Sequence, residues 1–361
     1  MPDNFRPLMN NTPVCSIIVN NYNYERFLHT AIDSALKQTY LNVEVLVVDD
    51  CSTDGSRDII ASYGDRITPI LRKSNGKQAA ALNAGFEKST GDIILFLDAD
   101  DYLLPSAVEK IVAAFQPEIG KVHFRLQVVD GDDQTLGYSI PSVGMSLAAG
   151  EVWRELLETS SYVSSPMSGN AYRRETLSPV FPIPDEYKTT ADDYLMISTP
   201  FYAGQLAGID EPIGAYRVHD SNQWALTSVS GSRFRRFVNH DLQNFALLQQ
   251  RAKEFDQQIP EDLERRSLGR IWSRLASLRL EPQNHPVDTD QVTKLMIWGL
   301  TALWQFSSHN LPKRLIYSLW FLWVGLMPVS LAKLGITWLY APHLRPKFVD
   351  ITITRLRALV S

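Results

Sequence analysis

Ile94 to Asp101 reads Ile-Leu-Phe-Leu-Asp-Ala-Asp-Asp, an apolar run that stops in three carboxylates. The run Ile93 to Leu97 has the composition of a buried parallel strand, and open α/β sheets bind their ligands at the carboxyl ends of such strands. Three acids placed there repel one another unless a hard divalent cation sits among them. Mg2+ or Mn2+ takes oxygen ligands and is usually completed by substrate phosphates. Asp98 and Asp100 are therefore candidate ligands of a metal and diphosphate site. The competing reading is that Asp98 to Asp101 only cap a helix expected over Pro105 to Phe115.

A second acidic step weakens that alternative. Val43 to Val48 is another apolar, β-branched run, and it ends in Asp49-Asp50 followed by Cys51-Ser-Thr-Asp-Gly-Ser56. Two neighbouring strand ends that both carry acids make a site. Asp50 and Asp54 are placed to accept hydrogen bonds from ribose hydroxyls or a base N–H, as an acid at a strand end does in dinucleotide folds, and Asp49 is counted with Asp50 as a nucleotide contact. For Asp54 and Gly55 the better reading is an Asp-Gly turn that caps a helix from Ser56.

The elements that position these acids follow from periodicity. Strand and helix patterns alternate from Val14 to about Phe115, which predicts an α/β domain with a doubly wound, mostly parallel sheet. Arg26 to Gln38 carries Phe27, Leu28, Ala31, Ile32, Ala35 and Leu36 at helical spacing, so it packs on that sheet. Asn20 to Tyr24 is then the loop above strand one, where Asn21 and Tyr22 meet a nucleoside by hydrogen bonding or stacking. Gly76-Lys77-Gln78 opens a helix that continues to Ala84; its free N–H groups attract phosphate and Lys77 adds charge, unless that lysine is simply solvated. No G-x-G-x-x-G spacing occurs there, which speaks against a dinucleotide dehydrogenase. Further on, Lys121 to Asp130 reads as a strand, Ser164 to Asn170 as a turn-rich surface loop, and Thr190 as the cap of a helix that opens with Asp192-Asp193.

Taken in order, Ser16-Ile-Ile-Val-Asn-Asn-Tyr-Asn-Tyr24, Ala31-Ile-Asp-Ser-Ala-Leu-Lys-Gln-Thr-Tyr40, Val47-Val-Asp-Asp-Cys-Ser-Thr-Asp-Gly55, Asn83-Ala-Gly85 and Phe96-Leu-Asp-Ala-Asp-Asp101 resemble the family 2 glycosyltransferases. The resemblance runs from about Pro13 to Trp224. It implies the A-type glycosyltransferase fold and an inverting, metal-dependent transfer of a sugar from a nucleoside-diphosphate donor, UDP being the commonest, to a glycan or lipid-linked acceptor. It implies that Asp98, Ala99, Asn21, Tyr22, Asp49, Asp50 and Lys77 lie on the donor nucleotide, and that Mg2+ or Mn2+ is held at Asp100, with Asp98. An acidic pair supplies the catalytic base, and Asp193 matches its second member. The usual first member is Glu, whereas this chain has Asp192, one methylene shorter. Tyr216-Arg-Val-His219 resembles a stretch near the end of the family's catalytic domain, with His219 on the diphosphate or the metal and Arg217 pairing with phosphate. Gly169 and Asn170 fall where the family places a small-residue loop beneath the donor sugar. Many members have Pro-Thr where this chain has Asn20-Asn21.

Composition sets outer limits. The 361 residues suffice for about two units of ~150 residues, and 45% apolar content is ample for packed cores. A net charge of −5 without a basic stripe excludes a nucleic-acid partner. Two cysteines, Cys15 and Cys51, give no disulfide framework and suit a reducing cytoplasm, each as a small buried or half-buried side chain. No apolar run precedes Pro13, so no cleaved secretory signal is read there. The chain thus divides into a tail (1–12), a nucleotide-sugar domain (13–228) and a helical region (229–361). In that last region Arg233 to Phe255 and Leu263 to Leu280 are amphipathic.

Within the helical region, Leu315 to Ala332 is eighteen residues without a charge, containing Trp320 and Trp323. From Leu311 to Ser361 seven Lys or Arg stand against Asp350 alone. A basic, Trp-rich apolar end suits anionic headgroups at the inner face of a cell membrane. Interfacial or re-entrant association of 315–340 is the first reading, a buried helix the second and a true span the third. Two rival functions remain: a nucleotidyltransferase, which would want a Gly-rich basic loop where Asn20 to Arg26 stands, and a non-catalytic nucleotide-sugar-binding protein of the same fold.

Overall fold

A computed structural model describes residues 12–219, 222, 229–307 and 309–340. They belong to two compact units. The first comprises Met1–Leu157, Ser161–Asn222 and Gln250–Gln257, and the second Glu158–Ser160, Gln223–Gln249 and Gln258–Ser361.

The first unit begins as the alternation predicts: β1 (Cys15–Asn21), α1 (Glu25–Leu36), β2 (Val43–Asp49), α2 (Ser56–Ser62), β3 (Thr68–Leu71), α3 (Lys77–Lys88), β4 (Ile93–Asp98), β5 (Tyr102–Leu103) and α4 (Ala107–Ala114). It continues with β6 (Ile119–Val129), β7 (Thr135–Ile140), α5 (Val152–Thr159), β8 (Asn170–Arg173), α6 (Arg174–Leu177), α7 (Ala191–Ser198) and β9 (Gln205–Arg217). The strand order is β3-β2-β1-β4-β8-β6-β9-β5, with β7 on β6. β1 to β4 are mutually parallel, β8 runs antiparallel to β4 and β6, and β9 runs parallel to β6. The α/β class and the mostly parallel sheet are as expected; the reversal at β8 makes the sheet mixed.

Register is what matters for function. Asn20 pairs with Asp98 and Asn21 with Asp49, so the carboxyl ends of β1, β2 and β4 finish level. These strands are apolar on both faces because both are covered. Ile17, Val19, Val47, Leu95 and Leu97 share one core with Leu28 and Ile32 of α1 and Val108 and Ile111 of α4. On the other side α3 lies against the sheet at Gly85, where a Cβ would sit 2.3 Å from Ile18 Cγ2 and 3.2 Å from Val48 Cγ2. Asn83 secures the same helix: its Nδ2 donates to the Ile183 carbonyl at 2.9 Å, and its Oδ1 accepts from the Ile183 N–H at 2.8 Å. The Asn83-Ala-Gly85 motif thus seats the helix whose first residue is Lys77. Cys15 is buried, Cys51 half-buried, and both are free thiols, as their setting in the sequence implied.

The second unit is helical: α8 (Gly231–Glu254) as far as Gln249, α9 (Leu268–Leu280), α10 (Val292–Gln305), α11 (Leu311–Leu326) and α12 (Val329–Tyr340). Its core gathers Phe234, Ile271, Leu275, Leu295, Phe321, Val324 and Ile336. Asp290 anchors it by accepting from Arg274 Nε at 2.7 Å and lying 3.0 Å from His285 Nε2. The uncharged stretch Leu315 to Ala332 is two helices, not one: α11 stops at Leu326 and α12 starts at Val329. Pro328 between them has no N–H to continue the ladder and instead offers its carbonyl to Leu331 and Ala332. No helix among the described residues is long and apolar enough to cross a membrane. Arg345, Lys347, Arg355 and Arg357 lie outside the described residues, as do Met1 to Asn11 and Trp224.

A methyl group at Gly85 has nowhere to go without moving Ile18 or the helix backbone. Gly85→Ala is expected to destabilise the fold by roughly 1–3 kcal/mol, the cost of overpacking a filled core, read from urea denaturation; an unchanged midpoint would contradict the tight seating of α3.

Candidate active site

β4 delivers Asp98 at its last position, and the chain turns at once through Ala99, Asp100 and Asp101 into the short β5. One ligand atom each from Asp98, Asp100 and Asp101 lies within 4.8 Å of the others. Each carboxylate is held separately. Asn20 Nδ2 donates to Asp98 Oδ1 at 2.7 Å. The Ser168 hydroxyl accepts from the Asp98 N–H at 3.1 Å and donates to Asp101 Oδ2 at 2.6 Å, bridging two members of the cluster. The Arg217 N–H donates to Asp101 Oδ1 at 2.9 Å. Asp100 Oδ2 lies 3.0 Å from His219 Nε2 and accepts from Asn222 Nδ2 at 3.4 Å.

The electrostatics are those of a site that wants positive charge. Burial and then Asp100 push the Asp98 carboxyl up to about 7, and burial with both neighbours raises Asp101 well above the carboxylate range. Arg217 does not supply the missing charge: its Nε donates to the Asp100 carbonyl at 2.8 Å and its guanidinium pairs with Asp133. The phosphate-pairing role expected of Arg217 is therefore corrected to bracing, since this side chain is buried between Phe27, Tyr102 and the acidic turn. Three hard oxygen donors without a neutralising guanidinium fit Mg2+ or Mn2+, so the residues expected to hold metal, Asp98 and Asp100, are brought together. Asp101 joins them, although the Asp-x-Asp spacing alone does not single it out. His219, expected on the metal or diphosphate, contacts Asp100 directly and packs edge-on to Tyr24 at 5.7 Å between ring centres.

Asp192 enters the same field. Burial, then Asp98, then Asp193 push its carboxyl well above the usual range, while a hydrogen bond from Gln78 Nε2 at 2.8 Å works the other way. The Tyr216 hydroxyl is raised by burial and by Asp101, Asp100, Asp98 and Asp192 together, so that tyrosine borders both the cluster and Asp192. Successive residues on a helix point about 100° apart, and at the start of α7 Asp192 takes the bond from Gln78 and feels the charge of Asp98. Thr190 occupies the N-cap position, but its side chain makes no capping bond, against expectation.

The end of β2 is organised differently. Asp49 is fully buried; it accepts from Asn21 Nδ2 at 3.0 Å, from the Ser52 N–H at 3.0 Å and from Arg57 Nε at 2.8 Å. With both oxygens taken by the chain itself, Asp49 holds the turn and is not placed to meet a nucleotide. Asn21 is buried too and ties Asp49 to Ser52, which leaves its Oδ1 without a partner among the described residues. Asp50 accepts from the Gly76 N–H at 3.0 Å and pairs with Arg72, so it links the end of β2 to the start of α3. Asp54 caps as read from the Asp-Gly turn, accepting from the N–H groups of Glu25 and Ser56. Tyr22 is exposed, and Lys77 Nζ stands 5.7 Å from its ring centre. Ala99 is buried, its N–H donated to the Asn20 carbonyl at 3.1 Å. The loop before β8 is buried rather than on the surface: Asn170 Nδ2 binds the Ser165 and Pro166 carbonyls, and a Cβ on Gly169 would come within 2.9 Å of the Phe124 carbonyl oxygen. These two hold the loop, and the neighbour that reaches the acids is Ser168.

Three comparisons bear on this arrangement. Residues 16–156 match the family model described as glycosyl transferase family 2. An uncharacterized glycosyltransferase of Nostoc sp. is 39% identical over 218 residues, covering 57% of this chain and 65% of the relative. One of Haemophilus influenzae is 28% identical over 223 residues, covering 58% of this chain and 67% of the relative. The chain therefore spans just under two thirds of the Nostoc protein's length. Among solved structures, S. aureus TarS 1-349 in complex with UDP-GlcNAc superposes with a TM-score of 0.52 at 18% identity, covering 90% of this chain and 91% of that one; at that identity the likeness is one of fold. With its acids at the ends of β2 and β4 and its motifs in family order, the chain matches glycosyl transferase family 2 over residues 16–156 and has the A-type glycosyltransferase fold.

Proposed function

We propose that the protein is an inverting, metal-dependent glycosyltransferase that moves a sugar from a nucleoside-diphosphate donor, UDP-sugar first, to a hydroxyl of a glycan or lipid-linked acceptor in cell-surface polysaccharide or glycoconjugate synthesis. The observation that carries this reading is the cluster of Asp98, Asp100 and Asp101 at the end of β4, with Asp192 near enough to be raised by the charge of Asp98. One set of acids suits the donor's diphosphate through a cation, and the other suits a proton acceptor. Among relatives, the UDP-GlcNAc in the TarS complex supports a uridine nucleotide as the donor class.

Asp98 and Asp100, with Asp101 beside them, would hold Mg2+ or Mn2+, and the chemistry such a cation would supply there is positive charge against the departing diphosphate. Tyr22 and Lys77 are placed for the nucleotide, Tyr22 by its exposed ring and Lys77 by its position at the first turn of α3. Asp50 and Asn21 hold that region in shape. Inversion takes one displacement. The acceptor oxygen attacks the anomeric carbon, its proton passes to a carboxylate, and the bond from that carbon to the diphosphate oxygen breaks with the electron pair leaving on the nucleotide. Asp192 is the base in this assignment because it shares the cluster's field and is oriented by Gln78; Asp193 stands next to it as the second member of the family's acidic pair.

Asp100→Asn replaces a carboxylate by a poor ligand for a hard cation. Metal-dependent transfer is expected to disappear while circular dichroism stays that of the parent. Full activity in that variant would remove the metal from the mechanism.

The base is tested by comparing two amides. Asp192→Asn is expected to lower transfer by roughly 10²-fold or more, the scale of general-base catalysis, with donor affinity close to the parent value. Asp193→Asn is expected to lose less. The opposite ranking in steady-state rates would move the base to Asp193.

A further inference from the structure

Among the described residues of the second unit, one apolar face is uncovered. On α11, Leu311, Leu315, Leu319, Leu322, Trp323 and Leu326 are exposed at three- and four-residue spacing, with Leu319 at 65% and Leu326 at 63%. Val329, Leu331 and Leu334 continue it on α12, and Trp304 and Phe306 at the end of α10 are exposed as well. Contiguous apolar surface on this scale marks an interaction site in a folded protein. The opposite side of the same helices is ordinary core, with Trp320, Phe321, Val324 and Ile336 buried.

We propose that this face seats the protein on an anionic lipid bilayer, with α11 and α12 lying in the interface rather than crossing it. Charge selects the occupant. In α11 and α12 the charged residues are Lys313, Arg314 and Lys333, all basic. Across Leu311 to Ser361 there are seven Lys or Arg and one acid, while the preceding 310 residues hold 28 Lys or Arg against 39 Asp or Glu. An acidic chain with one basic, apolar end is drawn to anionic headgroups by that end alone. A second copy is disfavoured by the same charges, because self-complementary pairing of this face sets two wholly basic sets of side chains against each other with no acid of α11 or α12 to offset them. The two indoles also suit a lipid phase. Trp304 Nε1 donates to Ser318 Oγ at 3.0 Å and Trp323 Nε1 to the Leu331 carbonyl at 2.9 Å, so the rings enter an apolar medium without an unsatisfied N–H.

The two helices are also too short to do more. α11 has 16 residues and α12 has 12, against about 20 for a span, and the break at Pro328 keeps them separate. Docking of this kind stands independently of the transfer reaction, so its failure and that of the glycosyltransferase reading are told apart by whether transfer to a soluble acceptor survives.

The test is flotation of the full chain with vesicles of phosphatidylcholine, with and without phosphatidylglycerol. The parent is expected to float with both, more strongly with phosphatidylglycerol, and to lose only that surplus in high salt. Leu319→Glu with Leu326→Glu is expected to lower partitioning by at least about tenfold, as two leucines no longer enter the lipid, with an unchanged melting temperature. Lys313→Gln with Lys333→Gln, which leaves the apolar face intact, is expected to lower only the preference for phosphatidylglycerol. A parent protein that does not float, or a leucine variant that floats like the parent, overturns the proposal. A parent that ignores vesicles and elutes as a dimer which the leucine changes split assigns the face to a second copy instead.

Discussion

Repulsion among Asp98, Asp100 and Asp101 is the constraint around which the first unit is arranged. Left to themselves, three carboxylates within a few ångströms in a buried corner take up protons or push apart, and the upward pressure on Asp98 and Asp101 expresses that tendency. The fold answers by holding two of them from distant parts of the chain: Asn20 of β1 holds Asp98, and Ser168 of the loop before β8 and the Arg217 backbone at the end of β9 both hold Asp101. None of those donors carries its charge to the carboxylates. The negative field is therefore preserved rather than cancelled, which is what a cation and a diphosphate require and what a merely structural turn avoids.

The two strand ends differ in how their acids are partnered. At β4 the acids face one another and remain short of positive charge; at β2 they are consumed. Asp49 is closed by Asn21, Ser52 and Arg57, and Asp50 by Arg72 and the Gly76 N–H. The second pair ties the loop after β1, the turn after β2 and the start of α3 into one platform. Tyr22 and Lys77 stand on it, the one with an exposed ring and the other at the helix start.

Much of this was legible in the residues because β1, β2 and β4 are buried on both faces, and such strands read as continuous apolar runs whose ends are unmistakable. The placement of Asp98 and Asp100 at a strand end, the helix from Arg26, the cap at Asp54 and the setting of both cysteines all follow from local pattern. What local pattern does not carry is contact across long stretches of chain. Ser168 meets Asp101 over 67 residues and Arg217 meets it over 116, and no spacing rule announces either. Arg217 looked like a phosphate ligand because its chemistry allows that; only its burial shows it to be a brace. Gly169 and Asn170 drew attention by composition, whereas Ser168 beside them makes the contact. In the helical unit an uncharged run of eighteen residues suggested a single segment, and one residue, Pro328, divides it.

On the reading proposed above, the corner at the end of β4 takes a divalent cation carrying a nucleoside diphosphate. The most direct measurement is anomalous diffraction from crystals of the protein grown with Mn2+ and UDP. A manganese peak bonded to carboxylate oxygens of Asp98, Asp100 or Asp101, with diphosphate oxygens completing the coordination, is the predicted result. Bound UDP with no manganese in that corner, or manganese held elsewhere, would show that these carboxylates do not serve a metal-borne diphosphate.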